Sequence, residues 1–362
     1  MVIYRDFKQF KDLDGSLIPF EFEDLPFKPQ RIFIVKDVPK DIERGNHAHY
    51  MTRQLLVCLE GKILVKMYNG IENEETIIKP MESVLVNSLV WDSQIFLTDK
   101  DMLLSLCSTH YMPKDYIDNI NIFNNIFKRK IAIVVAAYCL HGDIITNFIE
   151  WNKKILQEFD VELIVVSDRF IHFENPKYRS LVYPRKHKPM SRSRILNYGI
   201  KNAKHKDIIY AFDIDVAISR QALVQSLGLV NYGVGVSFQV GRINTIEESF
   251  TFDWNKLEKR ITGYGMMGMN YSDWDKLNGY DERMCGWGYE DVDLWRRSCK
   301  TMIMHRLSDY PIYHIDHPDR STTGSLFENR NSINGLLSDR GGWECKNWGE
   351  DFRINEDYAV EF

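Results

Sequence analysis

One change in the pattern of apolar residues, near residue 128, constrains the fold more than any other feature of this sequence. Before it, short β-branched or alternating runs such as RIFIVKDV (31–38) and ESVLVNSLVW (82–91) follow one another without helical segments between them. After it, strand-like runs alternate with segments of helical periodicity. Closely spaced strands are typical of a sandwich or barrel, whereas alternating elements are typical of an α/β fold. The sequence therefore predicts two domains, residues 1–128 and 129–362.

The second domain begins with three predicted strands and two predicted helices in the order βαβαβ. The strands are KIAIVVAAY (130–138), VELIVVSD (161–168) and DIIYAFDID (207–215), and the helices cover 143–159 and 191–204. A serine stands at the start of the second helix, as is common at helix N-termini. This order predicts a parallel sheet whose functional groups gather at the carboxyl ends of the strands.

The bulk composition excludes several classes of protein. Hydrophobic residues make up 44% and charged residues 27% of the chain, which is typical of soluble globular proteins. The net charge of −5 gives no indication of a nucleic-acid partner. The longest apolar run, 131–140, is too short to span a bilayer, and the six cysteines lack metal-ligand spacing. We therefore expect a cytoplasmic protein without a transmembrane segment, able to associate peripherally with the inner face of the membrane.

Two carboxylates, Asp213 and Asp215, end the third predicted strand of the α/β domain in the sequence FDIDV. Two positions apart in an extended segment, they face the same side. Like charges this close are costly unless a cation joins them, and a divalent metal holding a diphosphate is a natural partner. A solvated turn can contain the same D-x-D sequence, so the motif gains weight from its position after the strand.

Basic residues lie before this motif, around the predicted helix start. Arg192 and Arg194 fall in the first turn, and a helix N-terminus with arginines beside it is suited to a diphosphate. The alternative is a solvated basic face, which is the usual role of a run of like charges. Asp168, at the end of the second strand, can accept a hydrogen bond from the imide N–H of uracil or thymine.

The segment GWGYEDVDL (286–294) places a tryptophan between two glycines and follows them with three carboxylates. FDIDV and the sequence 263–297, which contains this segment, together resemble glycosyltransferases of the GT-A fold, a Rossmann-like α/β fold. In particular they resemble galactosyl- and N-acetylgalactosaminyltransferases with a GWGxEDxD signature, over about residues 130–320. The last acid, Asp293, is expected to pair with Arg296 in the helix that follows.

The GT-A resemblance implies a role for each remaining residue of this segment. Asp291 would be the general base, which removes the acceptor's proton in an inverting transfer as C1 is attacked from the opposite side. Glu290 would meet the acceptor. Trp287 and Gly288 would shape the sugar site, because a tryptophan ring offers an apolar platform and glycine lets the backbone approach closely.

The same resemblance implies a metal-dependent donor site. Asp213 and Asp215 would hold Mn²⁺ or Mg²⁺ together with the donor diphosphate, and Asp168 would bind the base. The third metal ligand would be a histidine of the sequence YHIDHP. His314 is favoured over His317, although either histidine could simply form a hydrogen bond in a turn.

In the first domain, the sequence ERGNHAHY (43–50) places His47 and His49 on one face of a strand. A metal site of this type would also need an acid shortly afterwards and a further histidine on a later strand, and the sequence offers neither there. No metal is therefore expected in this domain. Two neutral imidazoles can instead form an acid–base pair that works near neutral pH.

Four segments of the first domain, RGNHAH, QLLVCLEGKILVKMYNG, VW and YMPKDYI, resemble the WxcM-like cupins, which are dTDP-4-oxo-6-deoxyglucose 3,4-ketoisomerases. The resemblance implies an all-β jelly roll in which His47 and His49 shuttle a proton while the carbonyl moves from C4 to C3. Arg44 and Gln54 would line the pocket. A homodimer formed through the cupin would also be expected.

Two positions depart from the pattern of that family. Phe33 stands where the family often has tyrosine, and Asp92 stands where it often has arginine. Both changes can remove contacts with the substrate. A cupin that only binds a nucleotide sugar, or that mediates dimerisation, is therefore an alternative to an active isomerase.

The leading hypothesis is a bifunctional enzyme of surface-polysaccharide synthesis, such as that of O-antigen. It would isomerise a dTDP-linked ketosugar and transfer a sugar from a UDP- or dTDP-linked donor to a glycan or lipid-linked acceptor. The alternative is a glycosyltransferase with a non-catalytic cupin. A lectin-like protein is less well supported, because it would not need Asp213, Asp215 and Asp291 together.

Overall fold

The computed structural model describes residues 3–4, 7, 10–137, 142–183, 190–243, 260–261, 264–286, 288–315 and 331–350. The contacts divide the chain into two compact units, Met1–Phe127 and Lys128–Phe362. Within the described residues, no helix is long and apolar enough to cross a membrane.

The first unit consists mainly of antiparallel strands arranged in two sheets. In chain order the strands are β1 (Ile3–Tyr4), β2 (Phe10–Asp12), β3 (Gly15–Leu17), β4 (Arg31–Val35), β5 (Glu43–His49), β6 (Gln54–Glu60), β7 (Ile63–Tyr68), β8 (Asn73–Ile78), β9 (Ser83–Val86), β10 (Trp91–Phe96), β11 (Met102–Cys107) and β12 (Tyr116–Ile117). One sheet has the order β1-β9-β6-β11-β4 and the other β12-β5-β10-β7-β8, while β2 and β3 form a separate hairpin. Short 3₁₀ helices cover Phe22–Asp24 and Pro113–Asp115, and helix α1 (Ile120–Phe127) ends the unit.

The core of the first unit lies between its two sheets. Alternate residues of β7 are buried, and Ile63, Val65 and Met67 belong with Leu56 and Phe96 to one apolar cluster. The alternating sequence KILVKMY predicts this period of two, because successive side chains of a strand face opposite sides. The predicted all-β jelly roll is confirmed.

The second unit is an α/β structure. Its described strands are β13 (Ile131–Ala136), β14 (Val161–Ser167), β15 (Tyr178–Val182), β16 (Ile208–Phe212), β17 (Val216–Ile218), β18 (Val234–Ile243), β19 (Arg260–Ile261), β20 (Met267–Met269) and β21 (Ile303–Ile315). Its described helices are α2 (Gly142–Trp151), α3 (Lys153–Glu158), α4 (Arg192–Lys201), α5 (Arg220–Leu229), α6 (Tyr271–Lys276), α7 (Glu290–Thr301) and α8 (Asn331–Arg340).

These strands form one mixed sheet in the order β15-β14-β13-β16-β20-β18-β21-β17, with β19 beside β18. Strands β13 to β16 are parallel, as the βαβαβ pattern predicts, and β20 runs antiparallel to both of its neighbours. The edge strand β15 is only partly buried, whereas β13, β14 and β16 are buried on both faces. This explains why their sequences are nearly continuous apolar runs.

The predicted helix over 143–159 is two helices, α2 and α3, which are separated at Asn152. The side chain of Asn152 is 1% exposed and hydrogen-bonds to strand β17. Its amide donates to the carbonyl of Val216, and its oxygen accepts from the N–H of Ile218. The same amide also donates to the carbonyl of Phe148, four residues earlier, so the Asn152 side chain shares a helical acceptor at the point where α2 ends.

Candidate active sites

His47 and His49 lie on β5 of the first unit and face the same side, as their spacing predicts. Their Nε2 atoms are 3.2 Å apart, so the two imidazoles share a hydrogen bond. His49 is 2% exposed, whereas His47 is partly exposed and can meet a ligand. Burial lowers the pKa of His47 below its ordinary value, and the neighbouring His49 adds to this effect. His47 is therefore held neutral at neutral pH, the state that can accept a proton.

Asp115 extends the histidine pair to a hydrogen-bonded series of three side chains, and the sequence does not predict it. Its Oδ2 lies 3.0 Å from Nδ1 of His49, and its Oδ1 accepts the N–H of Met51 at 2.7 Å. The hydroxyl of Thr52 also donates to Oδ2. Burial raises the pKa of Asp115, but the hydrogen bonds from these three residues outweigh burial and keep the pKa below its ordinary value. A carboxylate on Nδ1 orients the imidazole and leaves Nε2 towards His47.

Aromatic residues surround the histidine pair. The ring of Tyr116 lies 5.0 Å from that of His47 and 4.3 Å from that of His49, measured between centroids. The guanidinium of Arg31 lies 5.5 Å from the ring centroid of Phe33 and 5.4 Å from that of Tyr111. Arg31 and Phe33 are two apart on β4 and share its inner face, so the position that departs from the family pattern lies on the pocket side.

The two predicted pocket residues have different environments. Gln54 is buried on β6, and its amide lies 3.8 Å from the thiol of Cys107. Arg44 is exposed on β5, opposite Gln94. Gln54 is thus part of the inner wall, whereas Arg44 could meet a ligand only from the solvent side.

Asp92 is fully buried on β10, opposite His47 on one neighbouring strand and Met67 on the other. The amide of Gln94 donates to its Oδ2, while no hydrogen-bond partner for Oδ1 occurs among the described residues. Burial raises the pKa of Asp92 from 3.8 to about 7, and the Gln94 amide offsets only part of this effect. A carboxyl in this position is therefore largely neutral below neutral pH.

Replacing Asp92 by asparagine is expected to change how stability depends on pH. An acid with a raised pKa stabilises the fold fully below its unfolded pKa, near 4, and this contribution is lost as pH rises through about 7. Three pKa units correspond to a loss of about 4 kcal/mol in the wild type. Asp92→Asn should therefore gain stability relative to wild type between pH 5 and pH 8, which thermal unfolding at several pH values would measure. An unfolding temperature difference that does not vary with pH would contradict this assignment.

In the second unit, the start of α4, the segment after β16 and the start of α7 bring charged side chains together. Arg192, the first residue of α4, pairs with Asp213 through Nη2 and Oδ1 at 2.5 Å, and with Glu290 through Nη1 and Oε1 at 3.3 Å. Burial raises the pKa of both carboxyls, while the Arg192 guanidinium opposes this rise. The side chain of Asp213 is 34% exposed, so the network opens to solvent on that side.

Asp291, the proposed base, lies beside this network. Its Oδ2 accepts the backbone N–H of Tyr264 at 2.8 Å, and its Oδ1 accepts that of Val292 at 2.8 Å. Asp291 is partly exposed. The carboxylate is thus oriented by backbone while remaining open to a ligand.

Two predicted interactions of this unit require correction. Arg194 is 4% exposed and donates through Nε to the carbonyl of Glu282, so it supports the fold and does not face a diphosphate. Asp293 pairs with Arg297 at 2.8 Å, an i, i+4 pair, and not with Arg296. Arg296 instead pairs with Asp339 of α8 at 3.0 Å.

Glu290 is also placed differently from the expectation. It is 8% exposed and its side chain is directed at Arg192. Its structural contact is therefore with Arg192, and a contact with the acceptor stays a prediction. Asp168 follows β14 as expected, and Gly288 has a left-handed φ of 109°. Trp287 lies outside the described residues.

The predicted metal ligands are close to one another but are not arranged as a three-ligand cluster. Nε2 of His314 lies 3.6 Å from Oδ1 of Asp215, because β17 and β21 pair Val216 with His314. Carboxylates and imidazoles are among the ligand types that divalent cations bind. Among the described residues, however, no three acid, histidine or cysteine groups are placed to hold a metal. Asp213 is held by Arg192, and His317 lies outside the described residues.

Comparisons with known proteins give a match for each unit. A family model named FdtA and described as WxcM-like, C-terminal, matches residues 2–128. A TDP-4-oxo-6-deoxy-alpha-D-glucose-3,4-oxoisomerase of Aneurinibacillus thermoaerophilus is 33% identical over 129 residues, which are 35% of this chain and 90% of the relative. Through its first unit, the chain belongs to the WxcM-like family of sugar 3,4-ketoisomerases.

Solved structures of ketoisomerases match a similar share of the chain. The 3,4-ketoisomerase QdtA from Thermoanaerobacterium thermosaccharolyticum, solved in complex with TDP, is 31% identical, covers 34% of this chain and 91% of its own, and has a TM-score of 0.33. A 3,4-ketoisomerase from Helicobacter canadensis is 27% identical, covers 34% of this chain and 95% of its own, and has a TM-score of 0.33.

The second unit of this WxcM-like protein matches a different family model. The model is described as the N-terminal domain of galactosyltransferase and covers residues 247–318, which include Glu290 and Asp291. The chain therefore joins a ketoisomerase-like domain to a glycosyltransferase-family domain, and the prediction of an enzyme of both kinds is confirmed.

Proposed function

We propose that this protein is a bifunctional enzyme of surface-glycan synthesis that acts on nucleotide sugars at two sites. The first unit would move the carbonyl of a dTDP-4-keto-6-deoxyhexose from C4 to C3. The second would transfer a sugar from a UDP- or dTDP-linked donor to a glycan or lipid-linked acceptor, such as an O-antigen precursor at the inner face of the membrane. The hydrogen-bonded series His47–His49–Asp115 is the observation that carries the isomerase proposal.

The isomerisation needs two proton transfers at adjacent carbons. In the first, His47 would remove the proton from C3 while O4 gains a proton, which gives an enediol. In the second, the imidazolium would return a proton to C4 while O3 loses its proton, which gives the 3-ketone. His49 and Asp115 would hold the imidazole of His47 in place through both steps, because His49 and Asp115 are themselves fixed by hydrogen bonds.

In the transferase unit, Asp291 would take the proton of the acceptor hydroxyl as the donor's C1 is attacked. Arg192 would face the donor diphosphate, since it is the first residue of α4 and a helix N-terminus favours an anion. Asp213, Asp215 and His314 are not placed as a metal site among the described residues, so Asp213 would have to leave Arg192 for the three to hold Mn²⁺ or Mg²⁺. A bound cation would offset the charge of the departing diphosphate. The carboxylates and imidazole support this proposal by their chemistry.

A second reading of the first unit has support in two residues. Phe33 brings no hydroxyl to the pocket side of β4, and Asp92 brings a buried carboxyl to the inner face of β10. Both changes favour a cupin that binds a nucleotide sugar without isomerising it. A homodimer is proposed with either reading, because the edge strand β4 exposes Ile32 and Ile34, at 51% and 54%.

The two halves of the proposal can be tested with the full-length chain. Incubation with dTDP-4-keto-6-deoxyglucose in D₂O should add one deuterium to the sugar, and a panel of UDP- and dTDP-sugars with Mn²⁺ should release a nucleoside diphosphate. Binding of the ketosugar without deuterium uptake would favour the non-catalytic cupin. Release that persists unchanged after exhaustive chelation would remove the metal requirement.

Replacing Asp115 by asparagine should slow isomerisation while leaving substrate binding intact. Asp115 contacts His49 and not the expected substrate, so its loss acts on the orientation of the imidazole. Carboxylates that orient metal-bound histidines typically contribute roughly 10- to 100-fold in activity, and we expect a loss of similar size for this imidazole. The measurement is the rate of deuterium uptake against substrate concentration, with a fall in kcat and a near-constant KM expected. The matched control is Asp99→Asn, an exposed carboxylate of the same unit; an equal loss in that variant would argue against a specific role for Asp115.

A further inference from the structure

The backbone of Tyr264 and Gly265 connects the two halves of the transferase site. The N–H of Tyr264 donates to Oδ2 of Asp291 at 2.8 Å. One residue later, the carbonyl of Gly265 accepts from Nη2 of Arg192 at 3.3 Å, and the same nitrogen pairs with Asp213. This short stretch is therefore fixed at one end to the proposed base and at the other to the arginine of the proposed donor side.

Gly265 lies between the two carboxylates without filling the space between them. A Cβ added to it would lie 3.4 Å from Oδ2 of Asp213 and 3.9 Å from Oδ2 of Asp291. No other contact within 4 Å occurs among the described residues, apart from its chain neighbours. The side chain missing at this position would therefore point directly into the gap between the two acids.

Neither the backbone nor the packing explains why residue 265 is glycine. Its φ is not in the left-handed region, and 3.4 Å is an ordinary van der Waals contact. Gly268, three residues later, is different, because a Cβ there would lie 2.3 Å from the ring of Tyr210. Gly268 is required by packing, whereas the described residues around Gly265 leave room for a side chain or for part of a ligand.

We propose that Gly265 determines donor specificity, because its bare backbone forms the surface on which the donor sugar ring lies between Asp213 and Asp291. This inference rests on the proposed transferase function, in which the diphosphate meets the Asp213 side and the acceptor hydroxyl meets Asp291. The sugar's C1 must then lie between them. Glycine allows a ligand to approach the backbone closely, and any side chain would take the volume of a ring substituent.

The test uses the full chain with Gly265→Ala and Gly265→Val, and it measures nucleoside diphosphate release from a panel of UDP- and dTDP-sugars. One methyl group in a fitted pocket changes discrimination by roughly 10- to 200-fold. We expect Gly265→Ala to lose activity in this range with the best hexose donor, and Gly265→Val to lose more. Donors with fewer ring substituents, such as pentoses, should lose less, and affinity for the free nucleoside diphosphate should stay unchanged in calorimetry.

The matched control is Gly335→Ala in α8, where an added Cβ would also make only an ordinary contact, 3.5 Å from the ring of Tyr289. Wild-type turnover together with an unchanged rate and donor profile in Gly265→Ala would overturn this inference and leave the transferase function standing. A melting temperature lowered well below that of Gly335→Ala would assign Gly265 a structural role and also overturn it. No turnover of any donor by the wild type would remove the transferase function and this inference together.

Discussion

Asparagine in place of His47 is expected to lower the rate of solvent-deuterium uptake into dTDP-4-keto-6-deoxyglucose by roughly 10²- to 10⁴-fold, the usual contribution of a general base. His47 is the partly exposed member of the pair, and its imidazole is kept neutral by burial and by His49. Asparagine keeps a polar amide of similar reach but cannot accept and return a proton at neutral pH. The loss should therefore appear in kcat, with binding of the nucleotide sugar largely retained.

The control for His47 is His110→Asn, which changes an exposed histidine of the same unit. That variant should retain the wild-type rate. Retention of the wild-type rate by His47→Asn would show that another group removes the C3 proton. Equal loss of ketosugar binding in His47→Asn, measured by thermal shift, would mean that His47 holds the substrate and would count against its role as the base.

The histidine pair could be predicted from the sequence because its signal is local. In a strand, residues two apart share a face, and this rule alone places His47 beside His49. Asp115 could not be found in this way, because it is 66 residues from His49 and reaches it only when β12 pairs with β5. The sheet order that makes this pairing depends on the whole domain.

In the transferase unit, sequence spacing also fails to predict which residues of a single helix reach the site. Arg192 and Arg194 were predicted together, but residues two apart on a helix lie on different faces. The structure directs Arg192 to Asp213 and buries Arg194 against Glu282. The packing of α4 on the sheet determines which of these two arginines is directed into the site. That packing is set by contacts distant in sequence.

Asparagine in place of Asp291 is expected to have the second large effect on activity, because it too removes a proposed general base. This change should abolish transfer, with a loss of roughly 10²- to 10⁴-fold in kcat, because an amide cannot take the acceptor proton. Asparagine can still accept a hydrogen bond from the N–H of Tyr264, so the backbone beside Gly265 should keep its position. Donor binding should therefore remain, since the Arg192–Asp213 pair is untouched. The measurement is product formation with the best donor and acceptor found by screening, alongside calorimetry with the donor's nucleoside diphosphate.

The two measurements on Asp291→Asn separate the base from its alternatives. Glu344→Gln, at an exposed position of the same unit, supplies the matched control and should transfer at the wild-type rate. Survival of transfer in Asp291→Asn would assign the proton to another carboxylate, and Glu290 would be the first to test because it is adjacent. Glu290 is nevertheless the poorer base, because it is 8% exposed and faces Arg192, so it has little access to an acceptor hydroxyl. A loss of nucleotide affinity equal to the loss of transfer would instead place Asp291 on the donor side of the site and count against its role as the base.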